Sequence, residues 1–329
     1  MNDPQDPGPP DGTAPAIVRQ MRSGEVAEAE RIMRIAFGTF LGFPDPALFG
    51  GDSDVVGSRF RADPSRAFAL EQNGNLIGSN LVSRWGSFGF FGPVSIDPSH
   101  WGQGLAPMLV ERAVTALDGA GCRHTGLYTF AQSPKHHALY ERFGFFPRYL
   151  TPLLARPVPA AATGQTDVRF TRYGTLSGTM KAGTLQGCRE LTDAIDEGLD
   201  VSCEIEAVAN LGLGETLLLH DDVGLASFAV CHYGPATEAG SGNCYVKFAA
   251  VRGGPTAPQR LNALLAAVEF HAASVGATVV LAGVNTARSE AYTTIKLRGY
   301  VAQVVGVAMQ RPLAEGFNRR GVFILDDWR

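Results

Sequence analysis

Apolar and polar positions alternate along this chain with two different periods, and the order in which those periods succeed one another occurs twice. Residues 17–21, 68–72, 76–84 and 89–96 read as strands, short runs bounded by glycine, proline or asparagine. The run 26–40 carries apolar residues at helical spacing, and the Gly/Pro/Asp-rich stretch 42–58 after it reads as a loop, the kind of segment where ligand selection commonly resides. Past residue 100 an amphipathic run at 107–117 predicts a helix, 125–130 a strand, and 133–143 a second helix closed by Gly144. In the second half, 185–199 and 202–211 predict helices, and 216–220, 224–233 and 244–251 predict strands.

A shift of 155 positions lays Gly121 on Gly276, Gly144 on Gly299, Phe145 on Tyr300, Leu109 on Leu264 and Arg156-Pro157 on Arg311-Pro312, without a gap. Identities are few. The shared register of turns and apolar faces over roughly sixty residues is what a diverged duplicate retains. The expected divisions are a disordered Pro/Gly/Asp-rich tail at 1–15, a first copy at 16–158, a linker at 159–167 and a second copy at 168–329.

The densest chemical signal lies where the strand at 89–96 passes into the helix at 107–117. Gly102, Gly104 and Ala106 are small enough for a ligand to approach the backbone. The N–H groups of a helix start point outward with the positive end of the helix dipole behind them, so such a turn holds a pyrophosphate without any lysine. Tyr140 follows on the next predicted helix, four residues before Gly144.

This order of strand, Gly102-Gln103-Gly104-Leu105-Ala106, helix, strand and Leu139-Tyr140-Glu141-Arg142-Phe143-Gly144-Phe145 resembles the core of the Gcn5-related N-acetyltransferase (GNAT) family over residues 16–158. The resemblance implies an α+β fold, a three-layer α/β/α arrangement around a mixed, mostly antiparallel sheet, here in two tandem copies. It implies acetyl-CoA as cosubstrate. The backbone of Val94, Ser95 and Ile96 would pair with the pantetheine arm, Gly102, Gln103, Gly104, Leu105, Ala106 and Pro107 would surround the pyrophosphate (Pro107 without an N–H to give), and Tyr140 would protonate the departing thiolate. Three positions depart from the family's pattern. Trp101 stands where Arg or Gln usually opens the turn, Ser133 where an Asn often touches the pantetheine, and Tyr128 where some members carry a Glu base. At the positions matching Gly102, Gln103, Gly104 and Ala106 the second copy has Ala257, Pro258, Gln259 and Leu261, and Ile295 replaces Tyr140, so one coenzyme site per chain is expected.

Composition narrows the class further. A chain of 329 residues, 45% hydrophobic and 18% charged, accommodates two ordinary domains. A net charge of -4 with no basic run argues against a nucleic-acid partner, and no apolar run is long enough to span a membrane. Five cysteines without paired or metal-like spacing suit a reducing cytoplasm and predict no metal site. Plain structural roles are expected at three places: Cys231 as a buried strand residue beside an outward His232, His136 and His137 as a solvated helix start, and Asp326 to Arg329 as a charged, solvated tail.

Acyl transfer from a thioester to an amine requires a neutral nitrogen, donors for the carbonyl oxyanion and a proton for the leaving sulfur. Tyr140, with an ordinary pKa of about 10 against roughly 8.5 for a thiol, stays protonated and can supply that proton. A backbone N–H near Val94 to Ile96 can bind the thioester oxygen, and Pro93 suits a local break in strand pairing. The general base stays open between Glu71, His136 or His137, and a water chain. The reading is an acetyl-CoA-dependent N-acyltransferase acting on a small-molecule amine or peptide. A non-catalytic acyl-CoA sensor or scaffold is the alternative, and homodimerisation is left open. The pair also resembles tandem acyltransferases that make small-molecule thiols, in which the C-terminal copy usually does the chemistry.

Overall fold

A computed structural model of the chain describes residues 14–158 and 168–329. The expected tail, except Ala14 and Pro15, and the expected linker lie outside the described residues. The first half runs β1 (Ile17–Gln20), α1 (Val26–Leu41), α2 (Val55–Ala62), β2 (Ala67–Gln72), β3 (Asn75–Trp85), β4 (Phe88–Phe91), β5 (Ser95–Ile96), α3 (Ala106–Gly119), β6 (His124–Phe130), α4 (Pro134–Glu141) and β7 (Phe146–Pro157). The second half runs β8 (Thr171–Arg172), α5 (Gly178–Asp193), α6 (Ser202–Asn210), β9 (Gly214–Asp221), β10 (Gly224–Gly234), β11 (Gly240–Val251), α7 (Ala257–Ser274), β12 (Val279–Gly283), α8 (Ser289–Leu297), β13 (Val301–Arg311) and β14 (Ile324–Leu325).

Two elements differ from expectation for local reasons. The stretch 42–58 contains the start of α2, which Asp54 caps by accepting from Gly57 N–H at 2.8 Å, a signal hidden among turn residues. Helix α5 begins before residue 185 and stops at Asp193, whose carboxylate accepts from Gly198 N–H at 2.7 Å and folds the following residues into a turn.

Twelve strands form one path, β1-β2-β3-β4-β6-β13-β7-β12-β11-β10-β9-β8, with β5 on β3 and β14 on β11 beside it. Pairing is antiparallel except for β4 with β6 and β11 with β12, which are parallel. The path reads alike from either end. Counting inward, β1 answers β8, β2 answers β9, and so on to β7 and β13, which lie side by side at the centre. There the halves cross: β13 pairs with β6 of the first half, Thr125 opposite Arg311 and Phe130 opposite Gly306, while β7 pairs with β12 of the second.

The cores follow this plan. Leu109, Val110, Ala113 and Leu117 seat α3 on one face of the first-half sheet together with Phe68, Phe91, Leu127 and Tyr140. Met33 and Val56 seat α1 and α2 on the opposite face. A third cluster spans both halves, joining Trp85, Phe88 and Phe90 to Phe228, Phe248 and Trp328. Each such ring stabilises the junction by roughly 1.5–3 kcal/mol of apolar burial. Among the described residues no helix is long and apolar enough to cross a membrane.

Candidate active site

The parallel strands β4 and β6 stay together only from Phe88 opposite His124 to Phe90 opposite Gly126. Beyond Phe91 the chain breaks at residues 92–94 and resumes as β5, which pairs only with β3, Ser95 against Ser79 and Ile96 against Gly78. Strand β6 continues to Phe130 with β13 on its other side. A gap therefore opens between the edge of residues 94–96 and the edge of 127–130, two backbone rims with no strand between them among the described residues. Asp97 N–H turns toward β3, donating to Ile77 O at 2.8 Å, so the carbonyl of Ile96 faces the gap. That carbonyl accepts from the indole Nε1 of Trp101 at 2.8 Å. Trp101, which departs from the family's pattern, thus lies folded against the rim.

At the mouth of the gap sits the turn that leads into α3. Gly102 and Gly104 have φ of +80° and +71°, and a Cβ on either would meet nothing within 4 Å. Glycine is required there by backbone conformation, not by space. The N–H groups of Gly102, Gln103, Gly104, Leu105 and Ala106 donate to no group among the described residues. Pro107, second residue of the helix, has no N–H. Five free donors at the positive end of a helix of 14 residues make a nest for an anion. The coenzyme's pyrophosphate fits this donor set.

Helix α4 brings in two more expected residues. Ser133 is its N-cap, buried, its carbonyl accepting from the N–H of His136 and His137 at 3.1 and 3.2 Å. Tyr140 is buried with its ring 6.1 Å from that of Phe91, the last residue before the break. Its hydroxyl has no hydrogen-bond partner among the described residues, and burial pushes its pKa above the ordinary tyrosine value, so the proton is retained at neutral pH.

Two nominees for general base, Glu71 and His136, differ in their surroundings from each other and from Tyr128, which stands where some family members carry a Glu base. Glu71 is held by Arg19 at 2.7 Å on β2 where it pairs with β1, away from the gap. Tyr128 keeps its proton, since burial and then the nearby Asp327 raise its pKa. His136 is not the solvated residue expected: its ring is half-buried 4.9 Å from that of Phe40, and burial, with the charges of Lys135 and His137, lowers its pKa to about 4. It is neutral at pH 7.

Two more expectations are corrected. His232 is 1% exposed, not outward, and the C-terminal residues are not a solvated tail: Asp326, Asp327 and Trp328 are 0, 1 and 3% exposed. The indole of Trp328 lies against Gly126, where a Cβ would come within 2.7 Å of it. Asp327 accepts from Tyr245 Oη at 2.8 Å, and Arg288 Nη2 donates to Asp326 at 2.5 Å. Sequence reading anticipated none of these partners, nor the cluster on α2 beneath the break. There Arg59 donates to Gly92 O at 2.7 Å and pairs with Glu238, which also takes Lys247 at 2.7 Å. Arg59 and Glu238 are 179 residues apart, beyond any local pattern.

The second half handles the corresponding places differently. Helix α7 starts at Ala257, so the residues matching Gly102 to Gly104 lie inside its first turn. Strand β14 pairs with Ala249 and Ala250 of β11, the counterparts of Val94 and Ser95, and fills the rim that stands open in the first half. Arg288, the counterpart of Ser133, is fully buried and donates to Ile324 O at 2.7 Å, clasping that inserted strand. Ile295, opposite number of Tyr140, is 0% exposed.

Residues 32–145, which include the gap, the turn and Tyr140, match the acetyltransferase (GNAT) family. This stretch is a GNAT-family acetyltransferase domain. The chain is also similar at the sequence level to a mycothiol acetyltransferase of Beutenbergia cavernae, 31% identical over 90 residues, which is 26% of this chain and 30% of that protein. The match thus spans under a third of that relative's length. The whole chain is similar in fold to a Pyrococcus horikoshii protein described as an acetyltransferase, at 13% identity with a TM-score of 0.65, covering 94% of this chain and 93% of the other. It is likewise similar to a GCN5-related N-acetyltransferase of Sphaerobacter thermophilus, at 15% identity with a TM-score of 0.56, over 90% and 95% of the two chains. At such identities the likeness establishes the fold, of which the GNAT domain is one part.

Proposed function

We propose that this chain is an acetyl-CoA-dependent N-acyltransferase with one coenzyme site, in its GNAT domain, acting on a small-molecule amine or peptide. The observation that carries this reading is the run of five undonated N–H groups, Gly102 to Ala106, opening onto a gap in the sheet that Tyr140 flanks. The coenzyme supplies an activated thioester. Around it, the turn fixes the phosphates, the rim 94–96 offers backbone groups to the pantetheine arm and an N–H to the thioester oxygen, and Ser133 contacts the arm from α4. As the amine nitrogen bonds to the acyl carbon, the carbon–sulfur bond breaks. Tyr140 gives its proton to the sulfur, and the proton lost by nitrogen passes to solvent.

The second half is read as a diverged copy that has lost the coenzyme site. Support comes from the symmetric strand order, from α7 starting over the former turn, and from β14 filling the second rim. This disfavours a C-terminal catalytic copy of the kind found in tandem enzymes that make small-molecule thiols.

A CoA-release assay over amines and peptides tests the proposal. Tyr140→Phe is expected to lower turnover by about 10²-fold or more while coenzyme affinity stays within a few-fold. Gly104→Glu, which forces a side chain into a left-handed backbone and an acid into the anion nest, is expected to abolish coenzyme binding. Full activity in Tyr140→Phe removes the acid assignment. Tight coenzyme binding without release on any acceptor supports a sensor instead.

A further inference from the structure

Resting on the acyltransferase reading, we infer that the acceptor is a monoamine with an apolar, ring-sized body and not a polycation. On β6, Leu127 points to the α3 face with Tyr140, so Phe130, three residues on, projects from the opposite face of the gap. Helix α1 packs along β5 on that opposite face. From it Phe37 and Phe40 reach across to Phe130, with ring centroids 5.9 and 4.8 Å away. Phe49 extends the wall 5.6 Å from Phe37, and His136 closes it 6.2 Å from Phe130. All five rings are half-buried, so each packs on the protein and keeps part of its surface free. With the coenzyme seated as proposed, this wall would line the approach of the acceptor from the α1 side of the gap.

The charges around this wall oppose a polyamine. His136 is neutral at pH 7. The carboxylates of the adjoining segments are already engaged: Glu30 by Val56 N–H at 2.9 Å and by Arg34, Asp52 by Ser241 N–H at 2.8 Å, Asp54 by Gly57 N–H and Arg61, and Glu238 by Arg59 and Lys247. Lys135 Nζ lies 5.2 Å from the centroid of the Phe40 ring, and this cation repels a second ammonium at the wall. A single ammonium entering an apolar cleft has its pKa lowered by desolvation and loses its proton, which yields the neutral nitrogen the reaction needs. Aromatic rings offset-stack on an aromatic body and add selectivity.

The test compares phenethylamine with spermidine and kanamycin as acceptors for the full chain, alongside Phe40→Ala, Phe130→Ala and the conservative Phe40→Leu. Calorimetric binding of phenethylamine in the presence of CoA is measured in parallel, and thermal melts confirm folding. Support is a kcat/KM for phenethylamine at least about tenfold above the polycations, a KM or Kd raised about tenfold in both alanine variants, substantial recovery in Phe40→Leu, and unchanged coenzyme affinity. Preference for the polycations, or alanine variants that bind phenethylamine as the parent does, overturns the acceptor class and leaves the acyltransferase reading standing. Failure of the parent chain to bind CoA at all overturns that reading, and this inference with it.

Discussion

At the scale of single residues, Trp101 is the most testable position. Its indole donates to the Ile96 carbonyl that, on the proposed reading, a pantetheine arm would use, and coenzyme entry is expected to displace it. Of three tryptophans, Trp85 and Trp328 are buried and Trp101 is 40% exposed, which makes it the natural reporter. Titration with CoA is expected to shift tryptophan emission, and Trp101→Phe to abolish the shift while binding CoA at least as tightly. An unchanged emission with saturating CoA bound would contradict the displacement. Much of the candidate site at this scale was legible in the sequence, because the proposed nest of backbone donors needs glycines at fixed spacing and the proposed proton donor needs a tyrosine. Trp101 was legible only as a departure. Its hydrogen bond depends on which way the edge of a broken strand faces, and residue spacing does not carry that.

Among the elements, the contact between α2 and β11 decides how firmly the break in the sheet is held. Arg59 supports the Gly92 carbonyl and is itself supported by Glu238, with Lys247 sharing the carboxylate. Burial opposes the charge on Glu238, but Arg59 and Lys247 outweigh it and hold the carboxyl well below the ordinary carboxylate range. Replacing Glu238 by Gln leaves two buried cations uncompensated, and a loss of about 3–5 kcal/mol in urea-unfolding stability is expected. A folded-state pKa below the unfolded value gives stability that is complete above about pH 4.3 and lost as pH falls toward the folded pKa. The gap between parent and variant should therefore narrow in acid, and a gap that widens below pH 4.3 would reject the ionised pair. Strands and helices flanking the turn were legible from periodicity. Helix α2 was not, since its eight residues with low amphipathicity sit inside a loop-like composition, and its value lies in partners from the other half.

For the whole molecule, the repeat register proposes which elements correspond, and the strand path, which has the same order counted from either end, supports that proposal. The crossing of β7 and β13 was not legible. The pattern of a strand is the same whether it pairs within its own half or with the other, because alternation specifies a buried face and not a neighbour. The expected stoichiometry is one CoA per chain by calorimetry, and none in Gly104→Glu. Retention of one bound CoA in that variant would mean the second half binds after all.

The exchange of central strands also sets a schedule for assembly. Thr125 meets its partner Arg311 across 186 residues, so during synthesis the edge of β6 waits exposed until nearly all the chain has left the ribosome. The linear order of the chain puts the GNAT domain first, yet that half is completed last, by a strand that belongs to its neighbour.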